Sequence, residues 1–217
     1  MRKKAIIFDM DGVIIDSQPL YHEFDIRMLG RFGHPATLET VIPYSGLTSV
    51  DRMTKYKKDF GLRDSVDDLI KMSVDSMRDV FLTSHIEPVD GIPELLLSIK
   101  NAGQLLGVAS STSRELIELI LRRLDVLSYF DKIVSGEEVK AGKPAPDVYL
   151  KAAEVFGVLP AECVAIEDSV IGMRSAKAAG FTCIAYRNSY TLDYSHADYI
   201  VDDFYECIAL VEKLCAA

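Results

Sequence analysis

No apolar run in this 217-residue sequence approaches the length needed to span a bilayer. The basic start, Met1-Arg2-Lys3-Lys4, is followed by only four apolar residues before Asp9, too few for the apolar stretch of a secretory leader. Positive charge is in deficit: 24 Lys and Arg face 33 Asp and Glu, a formal net charge of −9. That balance disfavours general binding to nucleic acid or anionic membrane. An anionic substrate would need local positive charge, from a metal or a placed lysine. Cysteine is scarce and unpatterned. Cys163, Cys183, Cys207 and Cys215 have no metal-ligand spacing and lie in apolar segments, so core packing in a reducing compartment is their expected role. There is no internal repeat and no low-complexity segment. A P-loop is missing as well: Gly136 stands one residue too far from Gly142-Lys143, and Pro144 replaces the required Ser or Thr. These absences predict a soluble, cytoplasmic protein with neither nucleic-acid nor membrane partners.

What is present divides into two textures, and 49% hydrophobic content is enough for a sizeable core. From Asp16 to Ser84 the pattern is helical. Apolar residues recur at spacings of three and four over Tyr21 to Phe32 and over Ser65 to Leu82. The second run carries Val66, Leu69, Ile70, Met72, Val74, Met77, Val80 and Phe81, a stripe expected to form a bundle core. Pro88, Gly91 and Pro93 then mark a linker and a new helix start.

Beyond that point short apolar strands alternate with amphipathic helices. Strands are predicted over Leu105 to Ala109, Lys132 to Val134, Cys163 to Ile166, Thr182 to Tyr186 and Tyr199 to Val201. Helices are predicted over Arg114 to Leu124, Pro146 to Phe156 and Ile171 to Ala179. The expectation is an α/β fold, a three-layer Rossmann-like parallel sheet covered on both faces. The opening strand finds parallel partners only after residue 100, so the helical block is an insertion. Residues 1–15 and 88–217 would form the core domain, and residues 16–87 a small helical-bundle cap.

The opening strand carries the strongest chemical signal. Ala5-Ile6-Ile7-Phe8 runs directly into Asp9-Met10-Asp11-Gly12. Residues two apart on an extended chain share a side, and open parallel sheets bind ligands at the C-terminal ends of their strands. Two carboxylates crowded there need a metal, a proton or a substrate to relieve their repulsion. An ordinary Asp-Gly turn is the plain alternative. Three further signals fall at strand ends. Ser110-Ser111-Thr112-Ser113 forms a strand-to-helix turn rich in hydroxyls and free N–H groups, suited to an anion or simply to helix capping. Lys143 is held between Gly142 and Pro144. Ala165-Ile166-Glu167-Asp168 ends an apolar strand in two acids, oxygen ligands of the kind that suit Mg²⁺, or caps for the next helix. Agreement of four such signals on one crevice outweighs the separate alternatives.

In that order, and with a helical insertion after the first, these segments resemble the four motifs of the haloacid dehalogenase superfamily. The likeness spans essentially the whole chain and points to the capped branch that includes β-phosphoglucomutase and small phosphosugar phosphatases. It implies Asp9 as the nucleophile that forms an aspartyl-phosphate. Asp11 would be the general acid and base, with its main-chain carbonyl on the metal. Ser110, Ser111 and Lys143 would hold the phosphoryl oxygens. Asp168, with Glu167 directly or through water, would complete a Mg²⁺ site. The second acid, Asp11, separates the chain from the dehalogenase branch.

The resemblance also has gaps. Where mutases resemble Lys-Gly-x-Ser-Arg, this chain has Ser45-Gly46-Leu47-Thr48-Ser49, without the lysine and arginine. Arg52 is the nearest replacement, or an ordinary surface arginine. Tyr21 stands where many relatives have histidine. The neighbouring His22 is rotated by about 100° on a helix, which directs it elsewhere. Lys55, Lys57 and Lys58 look like a solvated helix face. Tyr44, Ser45, Thr48, Ser49 and Arg52 are the candidate substrate contacts of the cap, whose closure about residues 12–17 and 88–91 would exclude bulk water. Because the cap would cover the site internally, a monomer is expected. These residues predict a Mg²⁺-dependent phosphatase of a small phosphorylated metabolite, most plausibly a sugar phosphate. A phosphosugar mutase is the alternative, and a regulatory protein without turnover the non-enzymatic one.

Overall fold

A computed structural model of the chain describes residues 2–44, 49–188, 191 and 193–216. In chain order its main elements are β1 (Ala5–Phe8), α1 (Gln18–Arg31), α2 (Leu38–Val41), α3 (Ser49–Phe60), α4 (Val66–Thr83) and α5 (Ile92–Asn101). They continue with β2 (Leu105–Ser110), α6 (Arg114–Arg123), β3 (Lys132–Ser135), α7 (Asp147–Phe156) and β4 (Cys163–Glu167). The chain ends through α8 (Val170–Ala178), β5 (Thr182–Tyr186), β6 (Tyr199–Val201) and α9 (Phe204–Ala216). It packs as two compact units, Met1–Asp16 with Ile86–Ala217, and Ser17–His85.

The first unit is an α/β fold. Among the described residues it has six strands, all parallel, in the order β3-β2-β1-β4-β5-β6. The four residues of β1 are completely buried, which explains a strand that is apolar at every position rather than alternating. Ala5 and Ile7 belong to one core layer with Val148, Tyr149, Ala152 and Ala153 of α7 and Met173 and Ala176 of α8. By alternation Ile6 and Phe8 serve the opposite face, where α5 packs on β2 and α9 on α5. All four cysteines are free and buried, Cys163 and Cys183 in the core layer with Ala5 and Ile7, and Cys207 and Cys215 on α9. The order places β1 centrally, with successive strands leaving to either side. That is the position at which a parallel sheet opens a crevice beyond its strand ends.

The second unit is helical. Its core is made by Leu20, Phe24, Met28 and Leu29 of α1, Met53 and Tyr56 of α3, and Leu69, Met77, Val80 and Phe81 of α4. Each full burial of this kind stabilises by about 1.5–3 kcal/mol. The stripe expected on α4 needs one correction. Met72 and Val74 are 44% and 56% exposed, whereas Ser73 and Ser76 are buried. At 100° per residue the inward face of α4 passes through 69, 73, 76, 77, 80 and 81, so it selects two serines and skips two apolar residues. Both hydroxyls have partners: Ser73 Oγ donates to the Ile70 carbonyl, and Ser76 Oγ accepts from Arg31 of α1. Ser65 caps α4 by accepting from the Asp68 amide. Among the described residues, no helix is long and apolar enough to cross a membrane.

Candidate active site

The register of the sheet brings the strand-end residues together. Phe8 lies beside Val108 on one side and Ile166 on the other. Asp9, Ser110 and Glu167 therefore emerge from three adjacent strands at the same edge. The Asp9 amide donates to the Ile166 carbonyl (2.9 Å), so β1 remains tied to β4 up to the first acid. Ser110 is completely buried as the last residue of β2, one residue beyond the strand end expected from sequence. Its Oγ accepts from the Thr112 amide (3.1 Å) and shapes the turn, while Ser111 is exposed.

Lys143 arrives from the loop between β3 and α7, and its side chain is only 4% exposed. Its Nζ donates to Asp9 Oδ1 (2.7 Å), Glu167 Oε1 (2.6 Å) and the Ala109 carbonyl (3.1 Å). Three acceptors account for the three N–H bonds of an ammonium. Glu167 is fully buried. Its Oε1 also accepts from the Tyr149 hydroxyl (2.6 Å), and its Oε2 accepts from the Asp168 amide and Ser169 Oγ (3.3 Å each).

Two glycines are dictated by this crowding. Gly12 has φ +78°, and a Cβ there would stand 2.0 Å from Asp168 Oδ2. A Cβ at Gly172, in the first turn of α8, would fall 2.0 Å from Glu167 Oε2. Any other residue at either place would displace an acid.

One oxygen from each of Asp9, Glu167 and Asp168 can be chosen so that all three lie within 4.8 Å of one another. Burial pushes the Asp9 carboxyl up to about 7; Lys143 opposes the shift, while Glu167 and Asp11 add to it. Burial, then the charges of Asp9 and Glu167, push Asp168 up to about 9. Burial alone would lower Lys143, but Asp9 and Glu167 together hold it above its ordinary value. Negative charge is thus concentrated beyond what one lysine offsets. An oxygen-only donor set under that strain fits a hard divalent cation.

Four partners of these acids were not singled out from the sequence. Thr112 Oγ1 donates to Asp11 Oδ2 (3.0 Å), and Asn188 Nδ2 donates to Asp168 Oδ2 (2.7 Å). Tyr149 and Ser169 both hold Glu167, as described. Thr112 and Ser169 carried a local signal, the first within the hydroxyl-rich turn after β2 and the second directly after Glu167-Asp168 at the start of α8.

A family model described as haloacid dehalogenase-like hydrolase matches residues 6–186. The chain belongs to this family. Among similar proteins, a phosphorylated carbohydrates phosphatase of Thermotoga maritima is 36% identical over 178 residues, covering 82% of each chain. Hexitol phosphatase B of Escherichia coli is 32% identical, covering 81% of this chain and 79% of its own. Among solved structures, CbbY of Rhodobacter sphaeroides in complex with phosphate aligns with a TM-score of 0.80 at 27% identity, over 94% of this chain and 96% of its own.

The residues assigned to the helical unit fare differently from those of the haloacid dehalogenase-like core. Ser45 and Thr48 lie outside the described residues. Tyr44 is 8% exposed; its hydroxyl donates to Asp59 (2.9 Å) and its ring packs on Tyr56 and Phe60. Ser49 begins α3. Arg52 is not a surface arginine: its side chain is 11% exposed, and NH1 lies 3.6 Å from Asp25 Oδ2. Its guanidinium also stands 5.7 and 5.6 Å from the Tyr21 and Phe24 ring centroids. Only the surface alternative is removed by this, and nothing in the sequence around Arg52 marks Asp25, 27 positions earlier, as its partner. His22 is half-buried on α1. Lys55 lies against the Tyr44 ring, and Lys57 donates to the carbonyls of Leu62, Arg63 and Asp64 just past the end of α3.

Proposed function

We propose that this protein is a phosphatase that hydrolyses a small phosphorylated metabolite, a sugar phosphate in the first instance, by phosphoryl transfer through Asp9. The observation that carries the reading is the buried meeting of Asp9, Lys143, Glu167 and Asp168 at one sheet edge. A carboxylate nucleophile, a fixed cation and an oxygen-ligand cluster are the parts that phosphoryl transfer requires. The names of the two phosphatase relatives support the substrate class.

An Asp9 carboxylate oxygen attacks phosphorus, the P–O bond to the leaving group breaks, and the proton of Asp11 goes to the departing oxygen. Asp11, now a carboxylate, takes a proton from water as the oxygen of that water attacks the same phosphorus. The Asp9–phosphorus bond breaks, inorganic phosphate leaves, and Asp11 is again protonated. Thr112 keeps the Asp11 carboxylate turned toward this work. Ser110, the amides of its turn, and Lys143 take the phosphoryl oxygens.

Asp9, Asp168 and the Asp11 main-chain carbonyl would hold Mg²⁺, with Glu167 behind them because four protein donors already occupy its oxygens. When bound, the cation offsets the repulsion between an anionic nucleophile and an anionic phosphoryl group. All reacting groups come from the α/β unit, and in this reading the helical unit Ser17–His85 supplies selectivity.

The test is phosphate release from a panel of phosphorylated sugars that includes β-glucose 1-phosphate, with and without Mg²⁺, following glucose 6-phosphate in parallel. Mg²⁺-dependent release that disappears in Asp9→Asn supports the reading. Glucose 6-phosphate formation with little free phosphate would replace it with a mutase. Binding without turnover on any substrate would replace it with a regulatory role.

A further inference from the structure

Tyr149 is completely buried on α7, two helical turns from its C-terminus, and it touches both charged partners at the centre of the site. Its hydroxyl donates to Glu167 Oε1 at 2.6 Å, the same oxygen that accepts from Lys143. Its ring centroid lies 5.0 Å from Lys143 Nζ, within the range of a cation–π contact. The ring also meets Phe181 edge-on at 5.2 Å, and both belong to the core layer under the sheet, which fixes its position. Lys143 itself comes from a loop, whereas Tyr149 stands on a helix within a packed layer.

We propose that Tyr149 is a positioning residue, whose hydroxyl pins Glu167 and whose ring seats the Lys143 ammonium so that the lysine stays aimed at Asp9. The proposal rests on the phosphoryl-transfer reading above. In the structure the ammonium has committed all three protons, to Asp9, Glu167 and Ala109. To take a phosphoryl oxygen, it must release one acceptor, and Asp9 is the one that has to be freed for attack. Glu167 must then remain in place, or the lysine swings with it. The tyrosine proton holds Glu167 Oε1 independently of the lysine, which gives Lys143 a fixed pivot. The longer contact from Lys143 Nζ to the Tyr149 oxygen (3.4 Å) is a fourth approach for which the ammonium has no proton left.

Tyr149→Phe removes the hydroxyl and leaves the ring. It is expected to lower kcat/KM about 10-fold, through KM as well as kcat because the lysine meets the phosphoryl group of bound substrate, the usual scale for an outer partner of a site. Independently of turnover, calorimetric titration with inorganic phosphate in the presence of Mg²⁺ should show roughly 10-fold weaker binding. In a Glu167→Gln background the same substitution should cost less than about twofold in either readout, because the group through which it acts is already altered. Unchanged kcat and phosphate affinity with only a lowered Tm would make Tyr149 a packing residue and overturn the proposal. A full additive loss on top of Glu167→Gln would also overturn it. If the wild-type protein hydrolyses no phosphosugar yet binds phosphate, the phosphatase reading fails and the titration alone decides for or against Tyr149. If it does neither, both fall.

Discussion

Lys143→Met separates the two roles that a buried lysine has in this site. Methionine keeps most of the volume and removes the charge. The lysine is 4% exposed and its partners Asp9 and Glu167 are 9% and 0% exposed, so the substitution leaves a buried carboxylate without its counter-charge. Removing one partner of such a pair costs about 3–5 kcal/mol. For a chain of this size that corresponds to a Tm lowered by roughly 6–20 °C in the absence of metal. Affinity for Mg²⁺ should move the other way. The lost positive charge no longer repels the cation or occupies Asp9, and a gain of about 10-fold needs only ~1.4 kcal/mol, well below the ~4 kcal/mol between two unit charges at 4 Å near a protein surface. Turnover at saturating Mg²⁺ should nevertheless fall by about 10²–10³-fold, because a preorganised donor to the phosphoryl oxygens is gone. Calorimetric Mg²⁺ titration, thermal denaturation with and without Mg²⁺, and phosphate release together test this. A variant that loses Mg²⁺ affinity would show that Lys143 shapes the acidic cluster rather than neutralising it. Turnover within about fivefold of wild type would show that the lysine does not meet the phosphoryl group.

Asp9→Asn should keep the fold by circular dichroism and lose phosphate release by roughly 10⁴-fold or more; appreciable residual turnover would point to another nucleophile. Gly12→Ala forces a side chain into φ +78° and a Cβ to 2.0 Å from Asp168 Oδ2. It should weaken Mg²⁺ binding by about 10–100-fold in calorimetry, and unaltered binding would deny Asp168 a place on the metal. Asp25, in the helical unit, has a carboxyl pushed up to about 6 from 3.8 by burial, with Arg52 opposing. A folded-state value above the unfolded one gives stability that is complete below pH 3.8 and is lost as pH rises through about 6. The wild-type stability relative to Asp25→Asn, from chemical denaturation across that range, should therefore decline by about 3 kcal/mol with rising pH. A difference independent of pH would mean that Asp25 titrates normally.

The sheet and the five acidic or basic positions of the candidate site were legible in sequence because both signals are local. An all-apolar tetrapeptide followed by Asp9 states where a buried strand stops and what it presents. Cys163 to Glu167 repeats that statement on the neighbouring strand. Tyr149 and Asn188 carried no such mark. Tyr149 sits at an apolar position of an amphipathic helix and is a core residue in every respect except its hydroxyl. Asn188 follows a strand in a stretch that reads as an ordinary loop. The helical unit failed in the opposite direction: Met72 and Val74 counted as core by composition, yet the angular position of each on α4 decides its burial. Arg52 had two readings, a substrate contact or an ordinary surface arginine, and its burial against Asp25 removes the second.

The partners that sequence did not reveal share a physical logic. Asp9, Asp11, Glu167 and Asp168 stand at or just beyond the tips of two neighbouring strands, where the ladder hydrogen bonds point along the sheet and Glu167 takes a backbone amide, that of Asp168. Each acid also has a side-chain donor from another segment. Lys143 comes from the loop after β3, Thr112 from the turn after β2, Tyr149 from α7 and Asn188 from beyond β5. A strand tip tolerates clustered carboxylates only if neighbouring segments bring such donors, because their mutual repulsion would otherwise turn them outward to water. The sheet order supplies those neighbours: β2 flanks β1, β3 lies beyond β2, and β5 flanks β4. The order of the strands is therefore part of the chemistry. β3 supplies no acid to the site, yet it delivers the lysine on which Asp9 and Glu167 both depend.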